Sequence, residues 1–262
     1  MKTVILCGGY GTRIRDVADD IPKPMIPIGD KPILWHIMKS YATYGYKNFV
    51  LCLGYKSEVI KDYFINYELH SSDIILKLGK SPEQIITEAI HPEDGWQITL
   101  AETGIKAMTG ARVKRIKKYI GDDPCFMLTY GDGVGDIDIE KLVAFHKSHG
   151  KMVTLTGVRP PGRFGELGIA EDGTTITGFN EKPQASGGRI NGGFFVCNHE
   201  FLDLLSDDEK LVLEQEPMKK LVEMGELKVF EHDGFWQPMD TSREYNLLND
   251  LYNKNKAPWV KW

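Results

Sequence analysis

The chain opens with a short apolar run, Val4-Ile5-Leu6-Cys7, that breaks at Gly8-Gly9-Tyr10-Gly11-Thr12-Arg13 and is followed by Pro22-Lys23-Pro24-Met25. An apolar run that ends in glycines predicts a buried strand handing the chain to a tight loop of bare backbone. Glycines let backbone N–H groups approach an anion closely. Arg13 and Lys23 add fixed positive charge beside those amides. The combination suits a triphosphate. The loop is not a Walker loop, because no Gly-Lys-Ser/Thr follows. It is not the dinucleotide fingerprint either, because Gly-Gly-x-Gly-Thr-Arg does not match Gly-x-Gly-x-x-Gly.

Strand-like and helix-like segments alternate downstream. We read strands over 3–7, 48–53 and 125–130, and helices over 32–44, 57–66 (opened by Ser57 as cap), 108–120 (basic and amphipathic) and 137–148. This alternation predicts an α/β fold, a doubly wound, mostly parallel sheet flanked by helices, with ligands at the carboxyl ends of the strands. The second half reads as less regular and β-rich, with strands over 152–158, 168–171, 175–179, 194–197 and 227–232. Its helices are expected over 201–206, 217–224 and 242–253. Residues 73–93 show weak periodicity and are expected to cover the active site or join subunits. With no linker of low complexity and no repeat, one structural domain is expected over 1–262.

A net charge of −5 offers no electrostatic reason to expect nucleic acid or a membrane surface as partner. The basic run Arg112-Val113-Lys114-Arg115 with Lys117-Lys118 reads mostly as a solvated helix face. Cys7, Cys52, Cys125 and Cys197 lie apart in apolar runs, without a C-x-x-C pair. They are expected to be buried and reduced, which points to the cytoplasm. The N-terminal stretch lacks signal-peptide character, and no stretch reaches the length of a membrane span. His36 falls on a predicted helix and is expected to be structural.

Two carboxylates carry the chemistry. Asp132 lies between glycines after a strand, and Asp240 lies between Met239 and Thr241. Aspartates from distant segments can hold one Mg²⁺ that also takes phosphate oxygens and waters. Alternatively, Asp132 caps a turn and Asp240 caps the C-terminal helix. No Ser-His-Asp or Cys-His pattern is present. The set supports nucleotidyl transfer, a reaction that needs in-line positioning and charge neutralisation rather than a covalent nucleophile.

The stretch Leu6-Cys7-Gly8-Gly9-Tyr10-Gly11-Thr12-Arg13 with Lys23-Pro24 resembles the signature of sugar-1-phosphate nucleotidyltransferases. Lys31-Pro32-Ile33-Leu34-Trp35-His36-Ile37-Met38, Met108-Thr109-Gly110, Thr129-Tyr130-Gly131-Asp132-Gly133-Val134 and Pro161-Gly162-Arg163-Phe164-Gly165 are similar to the glucose-1-phosphate cytidylyltransferase branch. So are Glu181-Lys182-Pro183, Asn191-Gly192-Gly193-Phe194-Phe195 and Gly234-Phe235-Trp236-Gln237-Pro238-Met239-Asp240-Thr241. The similarity runs nearly end to end. It implies Mg²⁺ as cofactor, CTP and α-D-glucose 1-phosphate as substrates, and CDP-glucose for dideoxysugar and O-antigen synthesis. It also implies a homo-oligomer, a hexamer in the family. Residues 1–150 would form a nucleotide-binding half, and 151–262 a sugar-phosphate-binding half with the C-terminal helix.

The resemblance also implies roles. Leu6, Gly8, Gly9, Gly11 and Thr12 would cradle the nucleotide. Arg13 would neutralise the leaving pyrophosphate, and Lys23 would reach the α-phosphate and the incoming phosphate. Asp132 and Asp240 would hold Mg²⁺. Thr103 and Gly131 would contact the nucleoside, and Arg112 the nucleotide. Lys182 would pair with the sugar phosphate, while Glu181 and Asn191 would bond its hydroxyls. The chain departs from the branch at Cys7, at Gly168 and at Ala107, where the missing hydroxyl predicts leakage to UTP. Competing readings are a related transferase with another nucleotide or acceptor, and a nucleotide-binding regulatory module. Arg13, Lys23, Asp132 and Asp240 together favour the enzyme, since a regulator needs no such set.

Overall fold

Side chains alternate across the first strand: Val4 packs into one apolar layer and Ile5 into the other, and both are fully buried. A strand buried on both faces must lie inside a sheet that is covered on both sides. The computed structural model describes residues 1–10, 14, 20–79, 83–86, 93–160, 166–171, 174–180 and 188–262. Its main sheet comprises β1 (Thr3–Leu6), β2 (Asn48–Leu53), β3 (Gln97–Glu102), β4 (Cys125–Tyr130), β5 (Val153–Val158), β6 (Ile190–Asn191), β7 (Phe195–Asn198) and β8 (Leu227–His232). β1 pairs in parallel with β2 and β4, and β2 with β3. β7 runs antiparallel between β4 and β5, and β8 lies parallel to β5. The sheet is therefore mixed but mostly parallel, as the alternation predicts.

β6 and β7 are one interrupted strand along β5. Gly157 faces Asn191 and Thr154 faces Val196, and the chain bulges at Gly192-Gly193-Phe194 between them. Gly193 has φ +77, and an added Cβ would lie 2.9 Å from the Tyr130 ring. A side chain there would meet both backbone strain and a clash.

Helices cover both faces. The longer ones among the described residues are α1 (Ile33–Thr43), α2 (Ser57–Ile65), α3 (Thr109–Arg115), α4 (Ile139–His149), α5 (Glu216–Glu223) and α6 (Ser242–Asn253). Ile33, Ile37 and Tyr41 of α1 and Leu142 of α4 pack with Ile5, Leu51 and Met127. Ala111 and Val113 of α3 and Leu221 of α5 pack with Val4, Val50 and Phe126 on the other face. His36 is structural, as expected. Its Nε2 lies 2.9 Å from the Ile28 carbonyl, and its Nδ1 accepts from Trp259 Nε1 at 3.4 Å.

Local details differ from the sequence reading. Ser57 is the first residue of α2, not its cap. Lys56 occupies the cap position with φ 51 and no capping side chain, and the Ser57 hydroxyl bonds Glu102 instead. The basic stretch forms two helices, α3 and Lys117–Ile120, because Ile116 leaves helical geometry at φ −90, ψ 0. Cys125 is only half-buried, while the other three cysteines are buried. Within 73–93, Ile74–Lys77 pairs antiparallel with Glu83–Ile86.

Candidate active site

The parallel strands β1, β2 and β4 end together at Leu6, Leu53 and Tyr130, and a pocket of about 380 Å³ opens at that edge. Its floor is knitted by backbone. Gly131 N–H donates to the Leu6 carbonyl at 3.0 Å, Cys7 N–H to Cys52 at 3.0 Å, and Tyr55 N–H to Gly8 at 3.3 Å. A Cβ on Gly131 would stand 2.7 Å from the Leu6 oxygen, so only glycine permits this approach. Leu6, Gly8, Gly9, Tyr10 and Gly131 line the pocket.

Arg112 is only 4% exposed and is the buried basic residue of its run; Arg115 and Lys118 are exposed and Lys114 and Lys117 half-exposed, as the solvated-face reading has them. Its guanidinium donates to the carbonyls of Leu53 (2.8 Å), Gly8 (3.0 Å) and Ile105 (3.4 Å), and to Thr103 Oγ1 (2.8 Å). It lies flat against glycine backbone. A Cβ on Gly8 would fall 2.2 Å from the guanidinium carbon, and one on Gly54 2.5 Å from its nitrogen. A side chain at Gly8 would therefore have to push the Arg112 guanidinium off its hydrogen bonds. Gly9 is different, since nothing lies within 4 Å of an added Cβ. Thr103 is 1% exposed and does not line the pocket; its hydroxyl donates to the Leu53 carbonyl at 2.6 Å.

Lys23 stands in a single turn, Lys23–Met25, entered from Pro22. Its ammonium donates to Asp132 Oδ2 at 2.6 Å and to Asp240 Oδ1 at 2.5 Å. The two carboxylates meet because Gly133–Gly135 pairs antiparallel with Trp236–Pro238. Met239 N–H then donates to the Asp132 carbonyl at 2.8 Å. Thr241, not Asp240, caps α6, in a capping box with Glu244, which corrects the alternative reading of Asp240 as the helix cap. Glu244 also accepts from Asp240 N–H at 2.7 Å, fixing the backbone that carries the carboxylate. Burial works against the Lys23 ammonium, but the two carboxylates outweigh it and hold its pKa above the ordinary lysine value.

Two carboxylate oxygens thus converge on the Lys23 ammonium beside an open pocket. That donor set fits Mg²⁺, which keeps waters and takes one or two carboxylates plus substrate phosphates. Among the described residues, no cluster of three or more His, Cys, Asp or Glu could form a closed cage.

Asn191 does not itself line the pocket, but its Nδ2 donates to the hydroxyl of Tyr130, which does, at 3.1 Å. Trp236 Nε1 donates to the Gly192 carbonyl at 2.8 Å, holding the bulge in place. Tyr130 in turn donates to Glu214 Oε1 at 2.5 Å, and Thr109 to Glu214 Oε2 at 2.7 Å. Sequence reasoning missed Glu214. It sits among other exposed acids, and only its long-range partners distinguish it. Gly110 of the Met108-Thr109-Gly110 motif packs under Leu211, 2.8 Å from where its Cβ would be. Gly11, Thr12, Arg13, Glu181 and Lys182 lie outside the described residues.

The profile of the nucleotidyl transferase family matches residues 2–245. Two glucose-1-phosphate cytidylyltransferases, from Salmonella typhimurium strain LT2 and Salmonella typhi, are each 50% identical over 262 residues, covering 100% of both chains. The structure of the inositol-1-phosphate CTP transferase from T. maritima superposes with a TM-score of 0.64 at 16% identity, covering 95% of each chain. At that identity the likeness is one of fold.

Proposed function

The chain belongs to the nucleotidyl transferase family, and on that premise we propose that it converts CTP and α-D-glucose 1-phosphate to CDP-glucose and pyrophosphate. The observation that carries the reaction class is the convergence of Asp132 and Asp240 on Lys23 beside a pocket floored by Gly8 and Gly131. The choice of CTP and glucose 1-phosphate is supported by full-length relatives of that name.

A phosphate oxygen of the sugar 1-phosphate attacks the α-phosphorus, the bond to the bridging oxygen breaks, and pyrophosphate leaves. The attacking oxygen is already ionised at neutral pH, so no side chain acts as general base. Asp132 and Asp240 would hold Mg²⁺, which when bound supplies charge neutralisation at the phosphates. Lys23 brings positive charge to the α-phosphate and the incoming phosphate, and its flanking prolines keep the backbone stiff so that the charge is aimed. Arg112 holds the Gly8 carbonyl, so the loop's N–H groups keep a fixed direction. Asn191 and Glu181 bond the sugar hydroxyls, and Lys182 pairs with the sugar phosphate.

Copies of the chain associate as a homo-oligomer, a hexamer on the family's pattern. Ile75, Leu76 and Leu78, respectively 58%, 59% and 87% exposed, support an apolar contact; a monomer by light scattering would refute it. Among the described residues no helix is long and apolar enough to cross a membrane. Four free cysteines suit work in the cytoplasm. A panel of nucleoside triphosphates against sugar 1-phosphates, read by pyrophosphate release, tests the assignment. Turnover confined to another pair would overturn the substrates, and no turnover with any pair would overturn the reaction.

A further inference from the structure

Residues 206–215 leave the second half of the sheet and strap across the start of α3. Met108 N–H donates to the Glu209 carbonyl and Gly110 N–H to the Leu211 carbonyl, each at 2.9 Å. Leu213 N–H donates to Thr109 Oγ1 at 2.9 Å. The strap ends at Glu214, whose two carboxylate oxygens are shared between walls of the pocket. One accepts from Thr109 at 2.7 Å and the other from Tyr130 at 2.5 Å.

A phenol has one proton. Tyr130 commits it to Glu214, so its oxygen is left to accept from Asn191 Nδ2 at 3.1 Å. The other end of that amide accepts from Gly193 N–H at 2.9 Å. Neighbours thus assign both ends of the Asn191 amide, which is exposed toward solvent with one donor and one acceptor valence still to offer.

We propose that Glu214 is a positioning residue for the acceptor sugar phosphate: by taking the Tyr130 proton it keeps the phenol oxygen an acceptor for Asn191 Nδ2, and so anchors the amide whose other end Gly193 N–H holds. This rests on the reading of Asn191 as an acceptor contact. An ionised carboxylate can only accept, so Tyr130 must donate to it. A glutamine at the same place can donate or accept. The Tyr130 proton is then at liberty to turn toward Asn191 Nδ2, which Gly193 keeps in the donor role, and the amide loses its anchor on that side. A sugar hydroxyl bound there meets its partner in only part of the population.

Steady-state kinetics of Glu214→Gln, read by pyrophosphate release, tests this. KM for glucose 1-phosphate rises about tenfold, the effect of one mis-set hydrogen bond. KM for CTP and kcat stay within about twofold. Tyr130→Phe shows the same acceptor-selective loss, and it carries the test if Glu214→Gln does not fold. Combining the two adds nothing further, because the relay is already broken. An equal rise in KM for CTP, or additive losses in the double variant, overturns the proposal, since Glu214 would then only brace the strap. Asn191→Ala separates the two levels. If it leaves the acceptor KM unchanged, the acceptor-site reading falls and this proposal with it. If it raises that KM while Glu214→Gln does not, only this proposal falls.

Discussion

Lys23 Nζ lies 2.5 Å from Asp240 Oδ1, across 217 residues of sequence, and the same ammonium bonds Asp132. One cation therefore joins the phosphate-loop end of the chain to the segment that leads into α6. Lys23→Ala lowers kcat more than it weakens CTP binding, because the charge acts chiefly in the transition state. Single-turnover chemistry at the wild-type rate with only affinity reduced would sink this assignment.

The same triad sets an alkaline limit. The Lys23 pKa is raised in the folded protein, so its contribution to stability is complete below the unfolded lysine value, about 10.4, and is lost as pH rises through the folded value. The melting temperature of wild type falls over that range more steeply than that of Lys23→Met. Parallel curves would remove the argument.

Asp132→Asn loses several kcal/mol of transition-state stabilisation, and excess chelator abolishes wild-type turnover. Full activity in chelator would show that the two carboxylates serve only the lysine.

Gly8 and Gly9 respond oppositely to alanine. Gly8→Ala forces a Cβ to within 2.2 Å of the Arg112 guanidinium and destabilises the fold; Gly9→Ala meets nothing within 4 Å and leaves stability unchanged. Arg112→Met removes a donor from the Leu53, Gly8 and Ile105 carbonyls, the first two of which keep Thr103 and Tyr55, and destabilises the fold by about 1–3 kcal/mol. Chemical denaturation of the three variants checks the order, and a Gly9→Ala protein less stable than Gly8→Ala contradicts it.

Acid weakens the protein through its buried imidazoles. Burial lowers the pKa of His36 and of His146, so both stay neutral in the folded state at pH values where the unfolded chain is protonated. Their contribution is present above the unfolded value, about 6.5, and is lost as pH falls below it. His146 bonds Thr154 at 2.8 Å and Asn198 at 3.0 Å. His146→Gln should flatten the fall in melting temperature between neutral and mildly acidic pH, and an unaltered profile would count against the account.

CTP is preferred over UTP, with leakage because Ala107 offers no hydroxyl on a pocket that it lines. Equal kcat/KM for the two nucleotides with glucose 1-phosphate would show that the base is not read.

The sheet was legible because the alternation that makes a strand is local. Val4 and Ile5, Val50 and Leu51, Phe126 and Met127 each split between two apolar layers, and a run apolar on both sides can only be an interior strand. The glycine break after Leu6 and the position of Asp132 past the end of β4 followed from the same local pattern. Tertiary structure alone decided the rest. A basic amphipathic stretch has the same periodicity whether its arginine meets water or, like Arg112, lies beneath a glycine loop. That Asp132 and Asp240 share one ammonium depends on the pairing of Gly133–Gly135 with Trp236–Pro238. That Glu214 reaches Tyr130 depends on a strap laid over α3. Such partners lie about a hundred residues apart, and spacing within a segment carries no information about which distant segment will dock against it.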